Sequence, residues 1–467
     1  MLTKQEWIPH EYQLSALKLM LSQGSVGLFL DPGLGKTSIC LSGFKILKQK
    51  GYAHKMLIIA PLRPCYAVWP TEIEKWENFK ELTYVIVHGP NKEAAIRADA
   101  DIYIINPEGL VWLLNEQDAR YKLQDFDVLC IDESTKFKDS GTKRFKALRP
   151  HVKRFKRRWI LTGTPAPNGI ADLFGQIFIL DMGRALGKYV THFRNEYFYR
   201  GYSNYEWILR PGAFREITDR IAPLVYQLNA EDYLKMPELI ETNIYIDLPP
   251  KAKQVYGDIE NSFIAMLDAG DIVAANSAVA GGKCRQIANG AVYLEDGTYT
   301  ILHEEKLDAL EDLLEELSGK PTLVLYEFRH DLERLQRRFP DAQTISSGTP
   351  IQTLENIILR FNTGQIPVLL GHPASMGHGL NLQGSCHHVV WFGIPWNYEH
   401  YDQAIRRVYR QGQKNEHVYI YHIVARDTKD EDVASVLKLK DKTQAQINEA
   451  IARHRAGTLA PVPVKAG

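Results

Sequence analysis

Residues 26–37 read VGLFLDPGLGKT, an apolar run followed by two spaced glycines, a lysine and a threonine. The run Val26–Leu30 predicts a buried strand, and a helix is expected to begin at Ser38. Glycines between a strand and a helix let backbone N–H groups face an anion, and the helix N-terminus favours its charge. Lys36 is then placed to reach the terminal phosphates of a nucleotide, and Thr37 to ligate magnesium. Leu30 stands where the strict GxxxxGK[ST] pattern has its first glycine, so the match is to the GKT end of that pattern. A mere turn is the bland alternative. It loses ground to a second signal, the acidic pair Asp132-Glu133 directly after the apolar run Asp127–Ile131. Carboxylates at the carboxyl end of a buried strand lie where open α/β sheets bind ligands. Asp132 is suited to hold magnesium through water, and Glu133 to orient and deprotonate an attacking water.

Further strands are expected at Met56–Ala60, Tyr84–Val87, Asp101–Ile105 and Trp159–Thr162. Each is apolar on both faces, as in a parallel sheet covered by helices on both sides. The pattern returns at Thr322–Tyr326, Ala342–Ile345, Pro367–Leu370, His388–Phe392 and Val418–Val424. Two doubly wound α/β lobes are the simplest account. The expected division is residues 1–168 for an N-terminal nucleotide-binding lobe and 303–457 for a C-terminal lobe. Residues 169–302 read as mostly helical insertions and connection, and 458–467 as a disordered tail. Glu304–Leu317 reads as an amphipathic helix with leucines at 307, 310, 313, 314 and 317.

The totals exclude little. With 467 residues there is ample chain for large cores, and 56 basic residues balance 56 acidic ones. The five cysteines, Cys40, Cys65, Cys130, Cys284 and Cys386, never pair as CxxC and read as buried apolar side chains in a reducing compartment. The N-terminus lacks an apolar targeting region, and the apolar runs suit strands rather than membrane spans, so a cytoplasmic protein without a membrane partner is expected.

Two basic features stand out. From Lys136 to Arg158 there are eleven Lys/Arg and one acid, Asp139; such an excess can neutralise nucleic-acid phosphates, each worth about 0.9 in the logarithmic salt slope. A solvated helix face is the alternative. Farther on, Gln403–Gln413 reads QAIRRVYRQGQ. Arg407 and Arg410 are expected one helical turn apart, both projecting from one face.

The order of these blocks resembles the superfamily two helicase engine, specifically its Swi/Snf-type branch of DNA translocases. The resemblance rests on PHEYQ (Pro9–Gln13), DPGLGKT (Asp31–Thr37), APLRPCYAVWPTEIEKW (Ala60–Trp76), NPE (Asn106–Glu108) and LTGTPAPN (Leu161–Asn168). It continues through TLVLYEF (Thr322–Phe328), GHGLNLQ (Gly377–Gln383) and VVWFGIPWNYEHYDQAIRRVYRQGQ (Val389–Gln413), and covers residues 9 to 437. It implies two tandem RecA-like lobes using ATP and Mg2+ on double-stranded DNA, with single-stranded nucleic acid as the alternative partner. By the same resemblance Gln13 reads adenine, and Gly33, Leu34, Gly35, Lys36 and Thr37 form the phosphate loop. Asp132 and Glu133 are the Walker B pair, and Arg407 and Arg410 are arginine fingers from the second lobe. Arg63, Asn106, Thr164, Gly379 and Asn381 fall in motifs that line the nucleic-acid groove or join it to the nucleotide, and Lys136 opens the basic stretch beside them.

Departures are local. Asp132-Glu133-Ser134-Thr135 stands for the family's DEAH, Met376 replaces a usual glycine, and Pro32 a usual methionine. Pro223–Glu238 lacks the arginine-rich segment common there, and no appended reader domain is visible, which suits a bare motor of bacterial or phage type. Two rivals remain at this stage: a strand-separating helicase on DNA or RNA, and an ATP-gated DNA clamp that does not move. Substrate form and turnover discriminate among the three.

Overall fold

The computed structural model describes residues 5–114, 126–201, 207–268, 274–376 and 380–458. The chain divides into two compact units, Met1–Tyr233 with Lys442–Gly467, and Leu234–Asp441. The residues expected to form a separate middle region, 169–302, are thus shared between the two.

Unit 1 holds strands β1 (Ser25–Leu30), β2 (Met56–Ile59), β3 (Tyr84–Ile86), β4 (Ile102–Ile105), β5 (Val128–Asp132), β6 (Arg157–Thr162), β7 (Phe198–Arg200), β8 (Trp207–Leu209) and β9 (Val225–Leu228). Seven of them form one sheet in the order β3-β4-β2-β5-β6-β1-β9, every pair parallel. Alternate residues such as Phe29, Ile59, Ile131 and Ile160 pack into one core with Phe174, Ile177, Ile447 and Ile451. Their strand neighbours Leu28, Ile58, Cys130 and Leu161 are equally buried, which accounts for the continuous apolar runs. β7 and β8 form a separate antiparallel hairpin.

Unit 2 holds β10 (Glu238–Ile246), β11 (Ala291–Tyr293), β12 (Tyr299–Ile301), β13 (Thr322–Leu325), β14 (Gln343–Ile345), β15 (Val368–Gly371), β16 (His388–Trp391) and β17 (His417–Ala425). Six form a parallel sheet in the order β10-β17-β16-β13-β15-β14. Leu323, Leu369, Val389 and Ile420 pack on one face, while Val324, Leu370, Val390 and Ile423 pack on the other with the helix Glu305–Glu316. The expectation of two doubly wound parallel sheets holds.

Two strands that join the main sheets lie within 169–302 and were not expected from the sequence. β9 extends the first sheet beyond β1, and β10 pairs along its whole length with β17. β10 is an edge strand that is mostly part-exposed, so its sequence ELIETNIYI lacks the apolar run that marks a central strand. The helix after the glycine-rich loop starts at Lys36, two residues earlier than expected, because Gly35 adopts a left-handed conformation as its cap. No described helix is long and apolar enough to cross a membrane. All five cysteines are buried and free.

Candidate active site

The parallel order places β5, β6 and β1 side by side, with Asp132 opposite Leu161, and Phe29 opposite Thr162. Their carboxyl ends therefore bring together the loop after Leu30, the Asp132-Glu133 pair and the turn after Thr162. This is the strand end where open sheets receive ligands.

The loop between β1 and its helix turns on Gly33 (φ 95°) and Gly35 (φ 77°), left-handed conformations that favour glycine. Inside it the Lys36 Nζ donates to the carbonyl oxygens of Leu30 at 2.5 Å and Asp31 at 3.3 Å. Gln13 closes the other side: its Oε1 accepts from the His10 N–H at 2.9 Å and its Nε2 donates to Leu34 O at 3.1 Å. A Cβ on Gly35 would lie 2.4 Å from Gln13 Nε2. Gln13, Gly33, Leu34, Gly35, Lys36 and Thr37 thus belong to one loop and its cover. A glycine-lined cradle with an ammonium inside it, at the start of a fourteen-residue helix, fits a nucleotide's phosphates.

Asp132 ends β5, and its Oδ2 accepts from Trp69 Nε1 at 3.0 Å. Glu133 follows with φ 56°, an uncommon conformation for a side-chain-bearing residue, and is buried. Its Oε1 accepts from the hydroxyls of Thr135 at 3.2 Å and Thr162 at 3.3 Å. Thr162 Oγ1 also accepts from the Thr164 N–H at 3.2 Å, so the carboxylate is joined to the TGTP turn through a single hydroxyl. Thr135 occupies the place of the histidine in DEAH, and its hydroxyl supplies a bond to Glu133. Ser134 Oγ donates to Gln176 Oε1 at 2.6 Å, and Gln176 Nε2 donates to Pro165 O at 2.6 Å, a second tie to the same turn.

Several functional contacts escape local sequence reading. Asp31 Oδ2 accepts from the Ala230 N–H at 2.9 Å and its own N–H donates to Leu228 O, anchoring the loop after β1 to β9. Ser38 Oγ donates to Glu72 at 2.6 Å. The one signal for Asp31 was its place at the head of DPGLGKT; its partners lie too far along the chain to be guessed.

The residues assigned to nucleic acid have structural tasks of their own. Asn106 caps the helix Pro107–Leu113, accepting from the Gly109 N–H and donating to Glu108. Arg63 is half-buried, and burial lowers its pKa. Thr164 is buried beside Thr162, and Lys136 is half-buried at the start of the basic stretch. That stretch is less available than its composition suggests. Lys138 pairs with Asp172, Arg144 with Glu108, and Lys156 with Asp127, while Arg149, Arg157 and Arg158 donate to backbone carbonyls. Lys143, Lys146, Lys153 and Arg154 remain exposed.

In unit 2 the second basic motif departs from expectation. The helix Tyr398–Ile405 ends before Arg407, so Arg407 and Arg410 lie in the turn beyond it rather than on one helical face. The cause is local. Arg407 Nε takes the Gln403 carbonyl at 3.0 Å, and its backbone N–H drops back to Ala404, which tightens and stops the helix. Arg407 is buried, its carbonyl accepts from the Leu382 N–H, and its Nη1 reaches Leu380 O at 3.4 Å. Arg410 donates to Asn381 Oδ1, and burial lowers its pKa. Arg407, Arg410 and Asn381 therefore form one cluster; Gly379 lies outside the described residues. Trp391 is fully buried against Tyr401, whereas Trp396 is exposed.

Residues 12–293 match the model of the SNF2-related domain, and 305–412 that of the helicase conserved C-terminal domain. The chain belongs to the SNF2-related family. Within this family a protein designated p41 of Acyrthosiphon pisum secondary endosymbiont phage 1 is 35% identical, over 95% of this chain and 99% of that protein. The uncharacterized ATP-dependent helicase YqhH of Bacillus subtilis (strain 168) is 24% identical over 92% of this chain and 77% of its own length. The Sulfolobus solfataricus SWI2/SNF2 ATPase core in complex with dsDNA is 21% identical and covers 98% of this chain and 96% of its own, at a TM-score of 0.44, too low to argue from. This SNF2-related chain is a superfamily two helicase- and translocase-type ATPase that acts on nucleic acid.

Proposed function

We propose that this SNF2-related ATPase is a motor that hydrolyses ATP with Mg2+ to translocate on double-stranded DNA. The observation that carries the reading is the shared strand edge of β5, β6 and β1. There the loop that holds Lys36 and the Asp132-Glu133 pair leave the same end of the sheet, and Glu133 is hydrogen-bonded through Thr162 to the LTGTP turn. Lys36 and the backbone N–H groups of Gly33–Thr37 bind the phosphates, Thr37 and Asp132 hold Mg2+, and Gln13 reads the adenine. Bound Mg2+ supplies neutralisation of phosphate charge during transfer. Glu133 takes a proton from the attacking water, and Arg407 and Arg410 stabilise the transferring phosphoryl group. Thr162 and Thr164 give Glu133 a direct route to the turn that, with Arg63, Asn106, Lys136 and Asn381, serves the nucleic acid. Five buried thiols without a disulfide fit a reducing compartment, the cytoplasm.

Duplex translocation, rather than strand separation, is favoured by the Swi/Snf-type motif order. The test is displacement. With ATP the protein is expected to strip a third strand from an intact duplex and to leave a forked duplex paired. Unwinding of the fork without third-strand displacement would instead favour the helicase reading.

A further inference from the structure

The end of the long helix Lys429–Thr458 carries a motif that the ATPase reading leaves unused. Residues 442 onward belong to unit 1, and the buried positions described among them are Gln444, Ile447, Asn448 and Ile451, one helix face at i, i+3, i+4 and i+7. The two isoleucines enter the main core of unit 1. A face of this kind would ordinarily be apolar throughout, because a buried amide is costly unless it is hydrogen-bonded. Here two amides are buried at 4% and 7% exposure, and both are bonded.

Gln444 Oε1 accepts from the backbone N–H of Ala166 at 2.9 Å, inside the LTGTPAPN turn. Its Nε2 donates to Asn448 Oδ1 at 2.8 Å, and Asn448 Nδ2 reaches Asn229 Oδ1 at 3.5 Å. Gln227 Nε2 donates to the same Asn229 oxygen at 3.2 Å. The next residue after Asn229 is Ala230, whose N–H is held by Asp31 at the head of the phosphate loop. A relay of amides thus joins the phosphate loop on one side to the TGTP turn on the other. From that turn, Thr164, Thr162, Pro165 and Gln176 lead back to Glu133 and Ser134.

We infer that Gln444 and Asn448 are positioning residues of the ATPase site, fixing the turn after β6 against Glu133 and registering it with the phosphate loop. The inference rests on the ATPase reading above and adds two residues far beyond every motif that identifies the family. A purely structural role would lower stability and leave turnover per folded molecule intact. A positioning role lowers kcat while ATP still binds, because the loop that orients Glu133 loses its setting.

The experiment compares Gln444→Met, which keeps length but removes the acceptor, with Gln444→Glu, which keeps an oxygen facing Ala166. Steady-state ATP turnover is measured with and without duplex DNA, beside the thermal unfolding midpoint. Gln444→Met is expected to lower kcat about tenfold with KM for ATP within about twofold, and Gln444→Glu to recover most of the loss. Should Gln444→Met fail to fold, Gln444→Glu and Asn448→Leu decide by the same split, the latter losing kcat and the former nearly normal. Unchanged kcat in Gln444→Met, or equal loss in Gln444→Met and Gln444→Glu, overturns the inference. Wild-type turnover that ignores DNA would reject the translocase reading alone, since the variants are compared in unstimulated turnover as well. Absence of any wild-type turnover would overturn both.

Discussion

Glu133 combines three conditions rarely met together: a left-handed backbone, burial, and two threonine hydroxyls on one carboxylate oxygen. Backbone strain held in place by surrounding bonds is a mark of functional positions. Glu133→Gln preserves an oxygen for Thr135 and Thr162 but removes the base, so kcat is expected to fall about 10²–10⁴-fold. Binding of a fluorescent nucleotide should persist, and a variant that turns over normally would remove Glu133 from the chemistry. Gly35→Ala probes the cradle itself. An alanine there must hold φ near 77° and push Gln13 aside, so a loss of about 1 kcal/mol in stability and a raised KM for ATP are expected, read by thermal unfolding and steady-state kinetics. Lys36, Asp132 and Glu133 were legible because each stands in a local strand-to-loop context. Asp31 and Gln444 were not, because their partners lie 199 and 278 residues away along the chain.

At the scale of elements, the central strands were readable from their two-sided apolarity, while β9 and β10 were hidden. β9 is four residues long, and edge strand β10 is part-exposed with two glutamates. β9 is buried but short, with Gln227 interrupting its apolar residues, and β10 lacks a buried run, although β9 anchors the loop after β1. The arginine helix also misread, because a side chain, Arg407 Nε, competes with the backbone for the Gln403 carbonyl, a contest periodicity does not register. Unit 2 depends on a different buried cation. Lys306, at the start of the helix Glu305–Glu316, is fully buried, with Asp430 Oδ2 at 2.6 Å, Asn289 Oδ1 at 2.8 Å and Phe392 O at 3.1 Å. Removing one partner of a buried pair leaves the other charge uncompensated, so Lys306→Met is expected to cost about 3–5 kcal/mol. Adding Asp430→Asn should return part of it. Denaturant titration checks both, and an unchanged midpoint in Lys306→Met would show that the pair contributes nothing.

At the scale of the whole molecule, unit 2 carries an acid sensitivity. Burial lowers His303 and His422 to about 4 and His388 to about 3, against 6.5 in an exposed histidine. Between these values the three imidazoles bind more protons in the unfolded chain than in the folded one, so their contribution to stability falls as pH drops from 6.5 toward 4 and is flat above, opposed by Glu241 and Glu327, whose pKa values burial raises. Each group contributes at most about 1.4 kcal/mol per pH unit. The denaturation midpoint of unit 2, followed by hydrogen exchange in β13, β16 and β17, should be lower at pH 5 than at pH 7.5; an equal or higher midpoint would mean the buried imidazoles are not neutral. Coupling of turnover to nucleic acid is read from the rate of ATP hydrolysis with intact duplex DNA, single-stranded DNA, RNA or no nucleic acid, with Lys36→Ala as control. Intact duplex is predicted to stimulate turnover most, and Lys36→Ala to abolish turnover while still binding the duplex. No stimulation by duplex over protein alone, or undiminished turnover in Lys36→Ala, would contradict the account.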